Sequence, residues 1–306
     1  MKLLRHPPVL PPDFAGCVAT IGNFDGVHVA HQQIITRVRR LAAEQGLVSA
    51  VISFEPLPGE YFQVPLTRIQ PLRDKVQALQ GLAPDWFVCL PFRQLLAEMV
   101  AEDFVHAILL QGLRVRRLVV GDDFRFGCRR RGDLALLRTM GAQHGMQVMD
   151  TPTLLQDQER ISSTRLREYL GAGQLAAARE LLGRPYRLCG RVRHGDRRGR
   201  TIGFPTLNLV MPDNLALAHG VYVLQVHGLG DRVYGGVGNL GLRPTVNGMG
   251  NRLEVHVFDF SAQVYGQHVS IEPLAFLRPE HRFPSFEALR QQIAQDAAQA
   301  RSLLGM

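Results

Sequence analysis

The chain is poor in cysteine and tryptophan and has no long apolar run, and each shortage narrows what it does. Cys17, Cys89, Cys128 and Cys189 lie far apart and form no CxxC pair, which excludes a zinc knuckle or a dithiol redox motif and fits reduced thiols in a cytoplasmic protein. No stretch approaches the ~18 apolar residues of a membrane helix, and the start, Met1-Lys2-Leu3-Leu4-Arg5-His6-Pro7-Pro8, is too short in apolar length for a signal peptide. The 30 glycines and 18 prolines are dispersed rather than gathered into a low-complexity tract, and no repeat recurs at a fixed period. Disordered, solenoid and propeller architectures are thereby set aside.

What is present suits a soluble two-domain protein: 306 residues, 46% hydrophobic and 20% charged. The net charge of +8 and pI near 9.8 call for acidic partners. Arg116-Arg117, Arg129-Arg130-Arg131 and Arg197-Arg198 with Arg200 are short clusters beside glycines, without interleaved aromatics. They suit small phosphorylated molecules better than nucleic acid or a membrane surface.

Through the first half, apolar runs at Val18–Ile21, Leu47–Phe54, Trp86–Leu90, Arg117–Val120 and Met146–Met149 alternate with helical patterns at Gln32–Gln45, Arg73–Leu79, Ala101–Leu110 and Leu134–His144. That order predicts a parallel sheet covered by helices. Gly183 and Pro185 then break a helix, placing the boundary between domains 1–183 and 184–306. Beyond it, Gly220–Val226, Val233–Val237, Leu253–Phe260 and Val269–Phe276 are short segments separated by turn residues, which predict an antiparallel barrel or sandwich. A last helix over Ser285–Leu304 carries an apolar stripe of Phe286, Leu289, Ile293, Ala297 and Leu303.

Three segments of the first half have the chemistry of a phosphate site. Ile21-Gly22-Asn23-Phe24-Asp25-Gly26-Val27-His28-Val29-Ala30-His31 runs from a strand end through a tight turn into a helix, with His28 and His31 on one face of its first turns. Free N–H groups and the positive helix end there favour an anion; capping or a surface location would account for the two histidines equally simply. Arg160-Ile161-Ser162-Ser163-Thr164-Arg165-Leu166-Arg167 crowds hydroxyls and guanidinium groups ahead of the helical run Glu168–Leu170, where a plain N-cap is the alternative. Val119-Val120-Gly121-Asp122-Asp123-Phe124-Arg125-Phe126-Gly127 ends another strand, and its phenylalanines either meet a ligand or fold onto the core.

Together these segments resemble the adenylyltransferase module of the bifunctional bacterial riboflavin kinase/FAD synthetase family. His28 and His31 match its HxGH element, Arg160, Ser163, Thr164 and Arg167 its R-x-SSTxxR element, and Asp123-Phe124-Arg125-Phe126-Gly127 its DFRFG loop. The resemblance implies FMN plus ATP giving FAD and pyrophosphate. It also implies that His28, His31, Gly22, Asn23, Phe24, Asp25, Arg160, Ser163, Thr164 and Arg167 serve the nucleotide, and that Asp123, Phe124, Arg125 and Phe126 serve the flavin.

The second half repeats the theme. Gly195, Gly199 and Gly203 precede Phe204-Pro205-Thr206-Leu207-Asn208, where a hydroxyl and a carbonyl oxygen suit a hard cation such as Mg²⁺. This segment resembles the PTAN motif of riboflavin kinases, with Thr206 and Asn208 on the metal. In Leu253-Glu254-Val255-His256-Val257-Phe258, alternation puts Glu254 on one face with His256 and Phe258. The resemblance makes Glu254 the general base for the ribityl 5′-hydroxyl and assigns Arg278 to the kinase's flavin.

Gly236-Val237-Gly238-Asn239-Leu240-Gly241 spells GxGxxG, but Leu242-Arg243-Pro244 cannot open the helix that a dinucleotide fingerprint needs, so it reads as a barrel turn. Three positions depart from the family pattern: Ala30 for a glycine, Leu57 for the histidine of FEPHP, and Leu207 for the alanine of PTAN. The expected reaction partners are riboflavin, FMN, FAD and ATP, with a monomer or weak homo-oligomer and no nucleic acid or membrane. A nucleotidyltransferase with another phosphorylated acceptor, and a flavin-binding regulatory protein, stay open as alternatives.

Overall fold

This computed structural model describes residues 1–194, 204–245 and 248–306. They form two compact units, Met1–Leu66 with Lys75–Ser162, and Thr67–Asp74 with Ser163–Met306.

The first unit is built on a parallel sheet of β1 (Lys2–Leu4), β2 (Cys17–Ile21), β3 (Val48–Glu55), β4 (Trp86–Pro91), β5 (Val115–Gly121) and β6 (Gln147–Thr151), in the order β1-β4-β3-β2-β5-β6. β2 is buried along its whole length, as a strand covered on both faces must be. Ala19 and Ile21 pack with Phe104, Leu109 and Leu137 on one side. Val18 packs with Val38, Leu41 and Ala42 of the helix Val29–Gln45 on the other. Strand order reverses between β2 and β5, and in such sheets the crevice at the carboxyl ends of these two strands receives ligands. The five expected strands and four helices of this half are present, with two differences. β1 adds an edge strand that three residues of mixed character did not announce. The helix over Ala101–Leu110 is a short α-turn, Ala101–Asp103, that continues as a π-helix from Phe104 to Gly112. A small hairpin of β7 (Leu155–Gln156) and β8 (Glu159–Arg160) precedes the end of the unit.

The second unit holds six antiparallel strands, β9 (Leu188–Arg191), β10 (Leu207–Val210), β11 (Gly220–His227), β12 (Tyr234–Thr245), β13 (Gly248–Val257) and β14 (His268–Arg278), in the order β10-β13-β12-β11-β14-β9. An antiparallel bridge between Arg193 and Asn208, in which the Arg193 N–H donates to the Asn208 carbonyl at 2.8 Å, joins the two edges into a barrel. The helix Phe286–Leu304 covers one outer face, with Ala297 and Ala300 against Val221, Val223, Val237 and Phe258. Its packed stripe is shifted from the expected one, since Phe286 and Leu303 are exposed and Ala300 takes their place.

GxGxxG is a strand interior, not a turn: Gly236–Gly241 lies wholly within β12. Its glycines thin the strand for neighbours. A Cβ at Gly238 would meet Leu224 Cδ1 at 2.5 Å, and one at Gly241 would collide with the Glu280 carboxylate. The helix expected over Glu168–Leu170 begins earlier, at Ser163, and runs to Gly171.

Candidate functional sites

In the first unit the turn after β2 carries unusual backbone. Phe24 and Val27 both have φ of +45° although neither is glycine, and both are almost fully buried. A β-branched residue in this region costs on the order of 1–3 kcal/mol, and the surrounding packing must hold it there. Asp25 and His28 are buried in the same turn.

His28 caps the helix Val29–Gln45: its Nδ1 accepts from the His31 N–H at 3.4 Å. With Nδ1 an acceptor, Nε2 is the ring nitrogen left to carry a proton. The His28 and His31 rings stack at 3.6 Å between centroids, and Phe24 meets His31 edge-on at 5.0 Å. Burial, then the neighbouring His28 and Lys75, hold the His31 pKa well below the ordinary imidazole value. His31 is therefore neutral at pH 7, and its buried Nδ1 has no hydrogen-bond partner among the described residues. No acidic residue stands in the first turn of this helix, so none there offsets its positive end.

At the end of β5, next to β2, Asp123 pairs with Arg160 at 2.7 Å. The Arg160 hydrogen bond holds the Asp123 carboxyl below its usual range, and the pair is about half exposed. Arg125 reaches Asp133 at 3.3 Å. Phe126 is buried in the core, while Phe124 stacks on it, half-buried, at 5.5 Å. Thus His28, His31, Asp123 and Arg160 follow from the ends of two adjacent parallel strands or pair with a residue that does. Leu57, by contrast, is a buried apolar residue at the start of the short helix Pro58–Tyr61.

Sequence reasoning missed two features of this unit. Lys75, buried, donates to the Asn23 carbonyl at 2.8 Å, and only its place among the helical residues Arg73–Leu79 marked it beforehand. Tyr61, Phe62 and Phe92 form an edge-to-face cluster with centroids 5.2 to 5.8 Å apart, and Phe62 is 57% exposed. It offers an apolar face to a planar ring.

Ser163, Thr164 and Arg167 open the helix Ser163–Gly171 of the second unit. There Arg167 Nε donates to the Thr67 carbonyl, and Arg165 Nε to the Tyr169 hydroxyl at 2.9 Å.

On the barrel, one cross-strand row reads Asn208, Glu254, Asn239, Val221, Arg278, each paired with the next in register on β10, β13, β12, β11 and β14. Along β13, Leu253, Val255 and Val257 are buried while Arg252, Glu254 and His256 are half-exposed, the expected alternation for Glu254. His256 Nδ1 donates to the Pro205 carbonyl at 3.0 Å, fixing the approach to Thr206. Asn208 Nδ2 lies 3.5 Å from Thr206 Oγ1, and Asn208 Oδ1 is buried without a partner among the described residues. Asn239 Nδ2 donates to Glu280 Oε1 at 2.7 Å, a carboxylate that no motif announced. Arg278 is held by buried Asp296 through Nε at 3.0 Å and Nη2 at 2.7 Å. Thr206 and Leu207 line a shallow pocket with Phe260 and Tyr265. Gly195, Gly199 and Gly203 lie outside the described residues.

A nucleotide-handling α/β unit followed by an antiparallel barrel with an asparagine–glutamate pair defines a two-domain nucleotide-dependent transferase. Comparison with known proteins specifies it: a FAD synthetase family model matches residues 10–165 and a riboflavin kinase model residues 182–304. The chain belongs to the bifunctional riboflavin kinase/FMN adenylyltransferase family. The Haemophilus influenzae member is 42% identical over 94% of both chains, the Escherichia coli K12 member 41% over 100% of this chain and 99% of its own, and the Pseudomonas fluorescens member 42% over 99% and 98%. A crystal structure from Streptococcus pneumoniae described as a macrolide-efflux protein has the same fold, with a TM-score of 0.80, 28% identity and 98% of each chain covered. Riboflavin, FMN, FAD and ATP are accordingly the substrates and products of this chain. No helix among the described residues is long and apolar enough to cross a membrane.

Proposed function

We propose that FMN adenylylation is carried by the histidine turn and the Asp123–Arg160 region, and riboflavin phosphorylation by the row containing Asn208 and Glu254, with the functional boundary at Gly183/Arg184. The observation that best supports the second assignment is the direct pairing of Asn208 with Glu254.

In adenylyl transfer an FMN phosphate oxygen attacks the α-phosphorus of ATP and the bond to pyrophosphate breaks. No protein nucleophile is needed, only alignment and stabilisation of the departing charge. His28 and the neutral His31 donate hydrogen bonds to phosphate oxygens in this reading, and Arg160 supplies charge. Gly22, Asn23, Phe24 and Asp25 shape the turn. Ser163, Thr164 and Arg167 serve the β and γ phosphates, and Asp123 to Phe126 border the flavin. In phosphoryl transfer Glu254 accepts the proton of the ribityl hydroxyl as its oxygen attacks the γ-phosphorus of ATP and the bond from that phosphorus to the bridging oxygen breaks, releasing ADP. Arg278, oriented by Asp296, borders the flavin at the other end of the row.

The unpartnered Asn208 Oδ1 and the Thr206 hydroxyl are hard oxygen donors that fit Mg²⁺. When bound, the cation would neutralise charge on the ATP phosphates. We further propose a cytoplasmic monomer or weak homo-oligomer that engages neither nucleic acid nor membranes.

The test is a pair of variants in the full chain with riboflavin, ATP and Mg²⁺, products separated by chromatography. Glu254→Ala should stop FMN formation while FMN supplied externally is still converted to FAD. The double change His28→Ala, His31→Ala should do the reverse. Equal loss of both steps in either protein would refute the division.

A further inference from the structure

We infer that Lys75 is a positioning residue for adenylyl transfer, acting through the Asn23 carbonyl that it and Ser53 hold from two sides. The inference rests on reading the turn before His28 as the adenylyl-transfer site.

Lys75 is 1% exposed, a rare state for a lysine, and its Nζ donates to Asn23 O at 2.8 Å. Ser53 Oγ, on β3, donates to the same oxygen at 3.0 Å. Both donors are fully buried, and both give a hydrogen bond to a carbonyl in the strand-to-helix turn. A peptide oxygen with two donors cannot swing without losing both, and the bond from a charged donor is the stronger.

The peptide so fixed is followed directly by Phe24, and then by Val27, the two non-glycine residues at φ +45°. Such backbone persists only where its surroundings over-determine it. Phe24 in turn contacts the His31 ring edge-on, so the clamp on Asn23 is transmitted to the stacked histidines. The nearby ammonium also disfavours protonation of His31, keeping the imidazole neutral. Burying a charged amine is costly where an apolar side chain would fill the space, which makes a purely structural filler a poor account of a lysine here.

The test uses the full-length chain with Lys75→Met, Lys75→Arg and Ser53→Ala, measuring kcat and KM for ATP in FMN adenylylation, with riboflavin phosphorylation in the same protein as control. Lys75→Met should lower the adenylylation kcat by between about tenfold and 10²-fold, the loss expected from small misplacement of aligned groups, with KM for ATP little changed and phosphorylation intact. Lys75→Arg should recover part of the loss. Ser53→Ala should give a smaller loss of the same kind, and the double variant less than the product of the two, because both act on one oxygen. An unchanged kcat, a change confined to KM, or equal loss of both activities would overturn the inference; if Lys75→Met does not fold, an unchanged kcat in Ser53→Ala overturns it alone. If the His28, His31 double variant keeps full adenylylation, the site assignment itself fails, whereas its loss alongside an unaffected Lys75→Met rejects only the role of Lys75.

Discussion

Asn208 and Glu254 stand directly opposite each other on adjacent antiparallel strands, and the Asn208 side-chain oxygen in that pair is buried without a hydrogen-bond partner among the described residues. A buried lone acceptor costs about 1–3 kcal/mol, a cost that the proposed cation would offset by coordinating it. Asn208→Ala should raise the Mg²⁺ concentration needed for half-maximal riboflavin phosphorylation and leave FMN adenylylation unchanged. Titrating the metal in both assays decides the matter, and an unaltered Mg²⁺ dependence would remove Asn208 from the cation.

Arg160 and Asp123 form a close ion pair, but each is about half exposed, so the pair contributes less than about 1 kcal/mol to stability. Arg160→Ala should therefore leave the unfolding midpoint almost unmoved while FMN adenylylation falls. Asp123→Ala frees the guanidinium and should be milder for ATP binding. Chemical denaturation alongside steady-state kinetics separates the two effects, and a large stability loss with unchanged kinetics would make the pair structural.

Arg278 has the opposite balance. Asp296 is buried, and three hydrogen bonds of 2.7 to 3.2 Å tie it to the guanidinium, while Gln292 adds a fourth at 2.9 Å. Removing the arginine leaves a buried carboxylate uncompensated, a change that costs about 3–5 kcal/mol. Arg278→Ala should destabilise the barrel by that order, and adding Asp296→Ala should restore part of it. Urea denaturation monitored in the single and double variants measures the coupling.

Alternation and turn chemistry made most of this architecture legible. Val18 to Ile21 and Leu47 to Phe54 read as buried strands because a sheet covered on both faces needs continuous apolar runs, and both sit where expected. β9 and β10 escaped notice because four-residue strands at a barrel seam carry too few alternations to stand out. The glycines of β12 misled by composition, since they serve close packing by Leu224 and Glu280 rather than a turn. At the sites, His28, Arg160, Asn208 and Glu254 were visible as motif members. Lys75, Ser53 and Glu280 were not, because their relevance lies in a contact made by distant chain segments, which spacing does not encode.

Asp74 gives the second unit a pH dependence of unusual sign. Burial pushes its carboxyl up to about 6, against hydrogen bonds from the Cys189 N–H at 3.1 and 3.3 Å and the nearby Arg73 and Arg184 that pull it down. The unfolded chain titrates this group near 3.8, so between about 6 and 3.8 the folded state takes up the proton first. Its contribution to stability therefore grows as pH falls through that window and is lost as pH rises, the reverse of a salt-bridged carboxylate. A shift of this size corresponds to about 3 kcal/mol at most. Asp74→Asn keeps an acceptor for the Cys189 amide and removes the charge. It should raise stability at pH 7–8 and flatten the difference between pH 6 and 4, as read from urea midpoints across that range. A variant that is less stable than the parent at pH 7.5 would mean that the ionised carboxylate holds the β9 amide more firmly than its burial opposes it.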